Sequence, residues 1–213
     1  MSKKLNTNSN LYIIIYAALM VIIVAFLLAF VSKALQDKSD ANVAIDKKSQ
    51  ILAALNMRSV PKEQVEAKYD EVVKDEQTEG THPMYICNID GKTKYVIPVN
   101  GMGLWGGIWG YVAINDDGNT IYGAYFSHES ETAGLGALIN EEPFQQQFQG
   151  KKIFDEDGNV ALSVIKAGKK VEGLDATSRC DAITGATLTS DGVDMMLKDC
   201  LGKYKTILLR QIQ

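Results

Sequence analysis

The segment richest in usable chemistry is Asp181-Ala182-Ile183-Thr184-Gly185-Ala186-Thr187-Leu188-Thr189-Ser190. Gly185-Ala186 leaves the backbone open to close approach. Thr187, Thr189 and Ser190 place hydroxyls beside an apolar pattern, Val193, Met196, Leu197, Leu201 and Tyr204, that predicts a helix over Ser190–Arg210. A helix start carries unpaired N–H groups and the positive end of the helix dipole, so hydroxyls there suit a phosphate. They suit an ordinary N-cap equally well, and the spacing alone leaves both readings open.

Other chemistries find little material. There are two histidines, His82 and His128, and no G-x-S-x-G surrounds a serine, which argues against a hydrolase. No Rossmann-type G-x-G-x-x-G is read after a strand, so the chain is not expected to bind NADH itself. Cys87, Cys180 and Cys200 show no C-x-x-C spacing and read as inert thiols; no metal site is expected, and a Cys180–Cys200 bridge has no support.

The elements that must carry the motif can be read from turn signals. MYICNIDGKTKYVIPV, YVAINDDGNTIYGAYF and KKIFDEDGNVALSVI each flank an Asp-Gly pair, at 90–91, 117–118 and 157–158, with apolar stretches. Three such units predict a twisted antiparallel sheet. Glu141–Gln149 reads as a short helix with Pro143 near its start. Gly101–Gly110 (GMGLWGGIWG) reads as a strand with close backbone approach at its glycines. Asn42–Asn56 places Val43, Ile45, Ile51, Leu52 and Leu55 on one helical face, with a break at Pro61, and Asp75–Thr81 reads as a polar loop. The class is α+β, with a tail and anchor over 1–32, a helical connecting segment over 33–83 and one domain over 84–213.

Residues 11–31, LYIIIYAALMVIIVAFLLAFV, hold no charge and at helical rise span roughly 30 Å, the thickness of a bilayer core. A cleaved signal peptide is the rival reading, with Lys3 and Lys4 ahead of the run and Ser32-Lys33-Ala34 as a small-x-small site. The run is long for that purpose, so a retained anchor in membrane lipid is expected. Lys3 and Lys4 lean toward a cytoplasmic tail and an external domain. They are the only charges in the first 32 residues, which leaves 20 of the 22 Lys and Arg against all 26 Asp and Glu in the remainder. That acidic balance argues against nucleic acid and against a surface that clings to anionic lipid.

Asp-x-x-Thr-Gly-Ala-Thr at 181–187 resembles the flavinylation motif of proteins modified by the FMN transferase of bacterial respiratory complexes. In that family the final threonine receives FMN from FAD through a phosphoester; here that implies Thr187, with Thr184, Gly185, Ala186 and Thr189 around it and Asp181 recognised by the transferase. Ser127–Gly136 (SHESETAGLG) resembles the family's His-x-Glu-Thr-Pro-Gly-Leu-Gly loop, with one extra residue after His128 and Ala133 in place of proline. Glu131, Thr132, Gly134, Leu135 and Gly136 carry over as flavin contacts, while the shifted His128 reads as a loop histidine with a local hydrogen bond. Gly103-Leu104-Trp105 is similar to an element of the NqrC members of the family, from the sodium-translocating NADH:quinone oxidoreductase (Nqr), more than to the RnfG members from the homologous Rnf complex. It implies Leu104 and Trp105 as apolar walls of the isoalloxazine; Trp109, by its residue type alone, reads as a core residue instead. The resemblance implies a single-pass subunit of the bacterial inner membrane whose antiparallel-sheet FMN-binding domain lies on the periplasmic side. There FMN would pass single electrons among partner subunits, one of which oxidises NADH. Lys166, Lys169 and Lys170 are near the motif in sequence only. A membrane-anchored assembly module without redox activity, with Thr187 as a plain cap, is the alternative of a different class.

Overall fold

The computed structural model describes residues 9–80, 82–169 and 175–211; Lys3, Lys4 and Lys170, considered above, lie outside them. The chain divides into two compact units between Ala44 and Ile45. Helix α1 (Asn10–Ala54) runs without a break through the apolar stretch and beyond it. Its N-terminal part is long and apolar enough to cross a membrane, and the side chains of that part are exposed. The division at Ile45 differs from the expected boundaries, because Ile51, Leu52, Ala54 and Leu55 are fully buried in the second unit rather than forming a connector.

Within the second unit, α2 (Val65–Val72) follows Pro61 and leads directly into a five-stranded antiparallel meander. Its strands are β1 (Val73–Glu79), β2 (His82–Ile89), β3 (Lys92–Met102), β4 (Gly107–Asn115) and β5 (Ile121–His128). The segment expected as a polar loop at 75–81 is thus largely the edge strand β1, paired residue by residue with β2. An edge strand needs no apolar face, and its ladder overrides the polar composition. Asp90 and Gly91 both have positive φ (51° and 77°), as a two-residue type I′ hairpin turn requires.

Helices cover both faces of the sheet. Alternation along β3 sends Tyr95, Ile97 and Val99 toward one core and Val96 toward the other; β4 sends Ile108, Val112 and Ile114 one way and Tyr111 and Ala113 the other. The first core lies under α4 (Thr187–Gln211), which contributes Val193, Met196, Leu197, Leu201 and Tyr204, and under α3 (Glu142–Gln146), whose Phe144 packs with Phe126 and Phe148. The second core lies under α2 and the end of α1. Burial on both faces explains why the strands read as near-continuous apolar runs.

The third Asp-Gly unit does not extend the sheet. Around Gly158 (φ 77°) only an isolated bridge, Phe154–Val160, forms. The chain then enters a small parallel pair, β6 (Ser163–Ile165) with β7 (Arg179–Asp181), tied to α4 where Val164 N–H donates to Asp194 Oδ1 at 2.8 Å. All three cysteines are free and buried; burial pushes the Cys87 and Cys180 thiols up to about 12.

Candidate functional site

Three loops at one end of the sheet meet the first turn of α4. The first joins β3 to β4. Met102 pairs with Gly107, and the intervening turn closes where Gly103 N–H donates to Gly106 O at 2.9 Å. This turn holds Leu104 and Trp105 outward, 47% and 66% exposed. Gly101-x-Gly103-x-x-Gly106 does spell G-x-G-x-x-G after a strand, contrary to the sequence reading. It leads into antiparallel β4 rather than a helix, so it lacks the helix N-terminus on which a dinucleotide fingerprint depends.

The second loop follows β5. Glu131 is only 7% exposed. Its backbone N–H donates to Nδ1 of His128 at 3.2 Å, the local hydrogen bond expected of that histidine. Its carboxylate accepts from Trp105 N–H at 2.8 Å and from the Thr189 hydroxyl at 2.6 Å. Burial alone would push this carboxyl up. Donation from Thr189 and from the N–H groups of Trp105, Leu104 and Gly106 outweighs it and holds the group below its ordinary value, so it is anionic at neutral pH. Thr132 O accepts from Leu135 and Ala137 N–H, both at 3.1 Å, and Gly134 (φ 74°) turns the chain so that Leu135 stands 42% exposed.

The third loop is the motif. Ala186 N–H donates to Ile183 O at 3.1 Å, closing a turn with Gly185 at its third position (φ 82°), where a type II turn demands positive φ. Ser190 Oγ accepts from Ile183 N–H at 3.0 Å and donates to Ala186 O at 2.9 Å, bracing the turn from inside the helix. The first helical bond runs from Ser190 N–H to Ala186 O, so Thr187 is the first helical residue. The N–H groups of Thr187, Leu188 and Thr189 precede that bond and have no intrahelical acceptor, and no acidic residue competes for them in the first turn. The Thr187 side chain is exposed, and among the described residues no hydrogen bond engages its hydroxyl. The buried hydroxyls are those of Thr189 and Ser190, both taken by protein partners. Thr187 is therefore not acting as an N-cap.

The structure brings together Leu104, Trp105, Glu131, Leu135, Gly136, Gly185, Ala186, Thr187 and Thr189. Leu135 lies directly against Gly185, where an added Cβ would stand 3.2 Å from Leu135 Cδ2. Thr132, Gly134 and Thr184 are exposed on the flanking loops. Trp109 is not at the site: half-buried, it donates from Nε1 to Gln50 of α1 at 3.2 Å. Asp181 is exposed and paired with Arg179 at 3.1 Å, whereas Lys166 and Lys169 serve that arginine only through their backbone carbonyls. Sequence reasoning did not select Met102 and Leu188, 69% and 60% exposed. Both adjoin motif residues, and large apolar side chains beside a polar motif were the available signal.

A group with a phosphate at one end and a flat apolar body fits these features: a free hydroxyl at a helix start beside exposed Leu104, Trp105, Leu135 and Leu188. Comparison with known proteins agrees. The profile of an FMN-binding domain matches residues 103–202, which include all three loops and the first turn of α4. The NqrC subunit of the Na(+)-translocating NADH-quinone reductase of Pseudomonas aeruginosa is 37% identical over 121 residues, 56% of this chain and 46% of that protein. The Neisseria meningitidis counterpart is 46% identical over 105 residues, 49% of this chain and 39% of that protein. The chain thus spans less than half the length of these curated relatives. Shewanella oneidensis NqrC shares the fold, with a TM-score of 0.67 at 23% identity over 78% of this chain and 97% of that one. The crystal structure of the corresponding reductase subunit from Parabacteroides distasonis matches with a TM-score of 0.76 at 37% identity, over 82% of this chain and 96% of that one. The chain carries an FMN-binding domain and belongs to the NqrC family of Na(+)-translocating NADH-quinone reductase subunits.

Proposed function

We propose that the chain is the NqrC subunit of a sodium-translocating NADH:quinone reductase and carries FMN as a phosphoester on Thr187. The observation that carries this reading is the exposed, unpartnered Thr187 hydroxyl at the first position of a 25-residue helix. In the attachment step, catalysed by a separate FMN transferase, Thr187 Oγ1 attacks the FMN-side phosphorus of FAD. The new P–O bond replaces the bond to the bridging oxygen, AMP leaves and the hydroxyl proton passes to the transferase or solvent. The N–H groups of Thr187, Leu188 and Thr189 at the start of α4 would hold the attached phosphate.

When bound, FMN supplies one-electron transfer, and the protein supplies position and environment. Leu104, Trp105, Leu135 and Leu188 offer apolar surface that excludes water from a ring. Thr184, Gly185 and Ala186 hold the turn that presents the hydroxyl, while Thr132, Gly134 and Gly136 shape the facing loop. Residues 11–31 anchor the chain in lipid with the domain on the periplasmic side, where little free flavin is available. A covalent link then keeps the cofactor from being lost by dilution. Oxidation of NADH and reduction of quinone belong to partner subunits of the complex.

Coexpression with the transferase tests this. The denatured wild-type chain should fluoresce under ultraviolet light and gain the mass of FMN less water on the peptide containing Thr187, and Thr187→Ala should be dark yet folded. An unmodified wild-type peptide, or a labelled alanine variant, would overturn the assignment.

A further inference from the structure

We propose that Glu131 is a positioning residue: its buried carboxylate clasps the Gly103–Gly106 turn to the first turn of α4 and so sets Trp105 relative to Thr187. The proposal rests on the reading of Thr187 as the attachment point, but its observations are independent of any cofactor. Both carboxylate oxygens are committed to the protein. Oε1 accepts from Trp105 N–H, 26 residues away in sequence, and Oε2 from the Thr189 hydroxyl, 58 residues away. Glu131 is 7% exposed and Thr189 1%, so neither bond has water as a ready substitute. A side chain spent this way shapes the site rather than touching the ligand, unlike the contact role expected from the sequence.

The glycines around it fit the same purpose. A Cβ on Gly103 would collide with Oε1, and one on Gly136 with Oε2 and the Thr189 hydroxyl. These glycines clear space for the carboxylate, not for a cofactor. The N–H groups of Leu104, Trp105 and Gly106 converge on the anion as a backbone nest, a concavity that could otherwise recruit a phosphate. Glu131 fills it, so the start of α4 is left as the place for a phosphate. The clasp is backed at a second point, where Gly192 of α4 seats against the Met102 carbonyl so closely that a Cβ there would overlap it. His128 pins the Glu131 backbone from its own side.

The experiment uses the full-length chain made without the transferase, in a Trp109→Phe background that leaves Trp105 as the sole tryptophan. Amide exchange at Trp105 N–H and Trp105 emission are the readouts, with Val112 and Leu201 as core controls. Glu131→Ala should speed Trp105 exchange by about tenfold or more, the scale of losing a hydrogen bond to a charged acceptor, and leave the core amides within about threefold of wild type. Thr189→Val should speed the same exchange, although Thr189 does not touch Trp105. Glu131→Gln should restore it, because its carbonyl can still accept from Trp105 N–H while its amide donates to Thr189. With transferase added, the rate of FMN attachment should fall in the alanine variant and recover in the glutamine variant. Unchanged Trp105 exchange in Glu131→Ala, equal acceleration of the core amides, or a glutamine variant as defective as alanine would each overturn the clasp. Failure of attachment in the wild type, with the exchange pattern intact, would instead sink the reading of Thr187.

Discussion

Replacing Thr189 by valine isolates one bond of the site with almost no change of shape. The hydroxyl donates to a buried, ionised Glu131 at 2.6 Å, in a position 1% exposed where water cannot take its place. A hydrogen bond to a charged partner contributes about 1.5–3 kcal/mol, and the remaining donors from the turn keep the carboxylate ionised. A loss of about 2 kcal/mol is expected at neutral pH, or about 4–8 °C in melting temperature for a domain of this size. The effect must depend on pH in a fixed direction. The folded pKa of Glu131 lies below the ordinary 4.5. The stability the carboxylate contributes is therefore fully present above that value and is lost as pH falls through the folded pKa. Urea unfolding of wild type and variant across the acid range measures it: the gap should hold above pH 4.5 and narrow only below. A gap under about 0.5 kcal/mol at neutral pH, or one that stays constant into acid, would refute the ionised-acceptor account.

Other perturbations reach different links of the argument. Gly185→Ala forces an alanine into φ 82° against Leu135 and should lose about 1–2 kcal/mol and slow FMN attachment, read by denaturation and in-gel fluorescence. Leu201→Ala opens a void in the fully buried core beneath α4 and should lose about 2–5 kcal/mol in the same denaturation assay. Cys87 and Cys180, buried and pushed up to about 12, should resist a thiol reagent in the native protein and react only on unfolding, followed by mass spectrometry.

The sequence was most informative where local chemistry decides structure. Asp90-Gly91 marks its hairpin because both residues must adopt positive φ there, and Pro143 marks the start of α3. It misled where tertiary pairing outranks composition. Val73–Glu79 is too polar to read as a strand, yet a neighbouring ladder makes it one. Asp157-Gly158 looks like its two predecessors, but the chain beyond it joins a parallel pair with residues 179–181. Helix α4 begins at Thr187, three residues before the expected start at Ser190, because its first turn faces the site and carries none of the apolar periodicity that starts at Val193. The motif pointed to Thr187, whose exposed hydroxyl at the start of α4 is the acceptor we propose. The part played by Glu131 was not, since its partners lie far off in sequence and only the fold brings them near.

The open flank of the sheet has a consequence for how the molecule meets its neighbours. The outermost ribbon carries Lys74, Asp75 and Glu76, with Glu76 tethered to the Tyr69 hydroxyl at 2.6 Å. With Glu79 as well, this strand sets three carboxylates against one lysine, so pairing it edge to edge with a second copy would crowd negative charge, which disfavours a ladder growing from this side of the sheet.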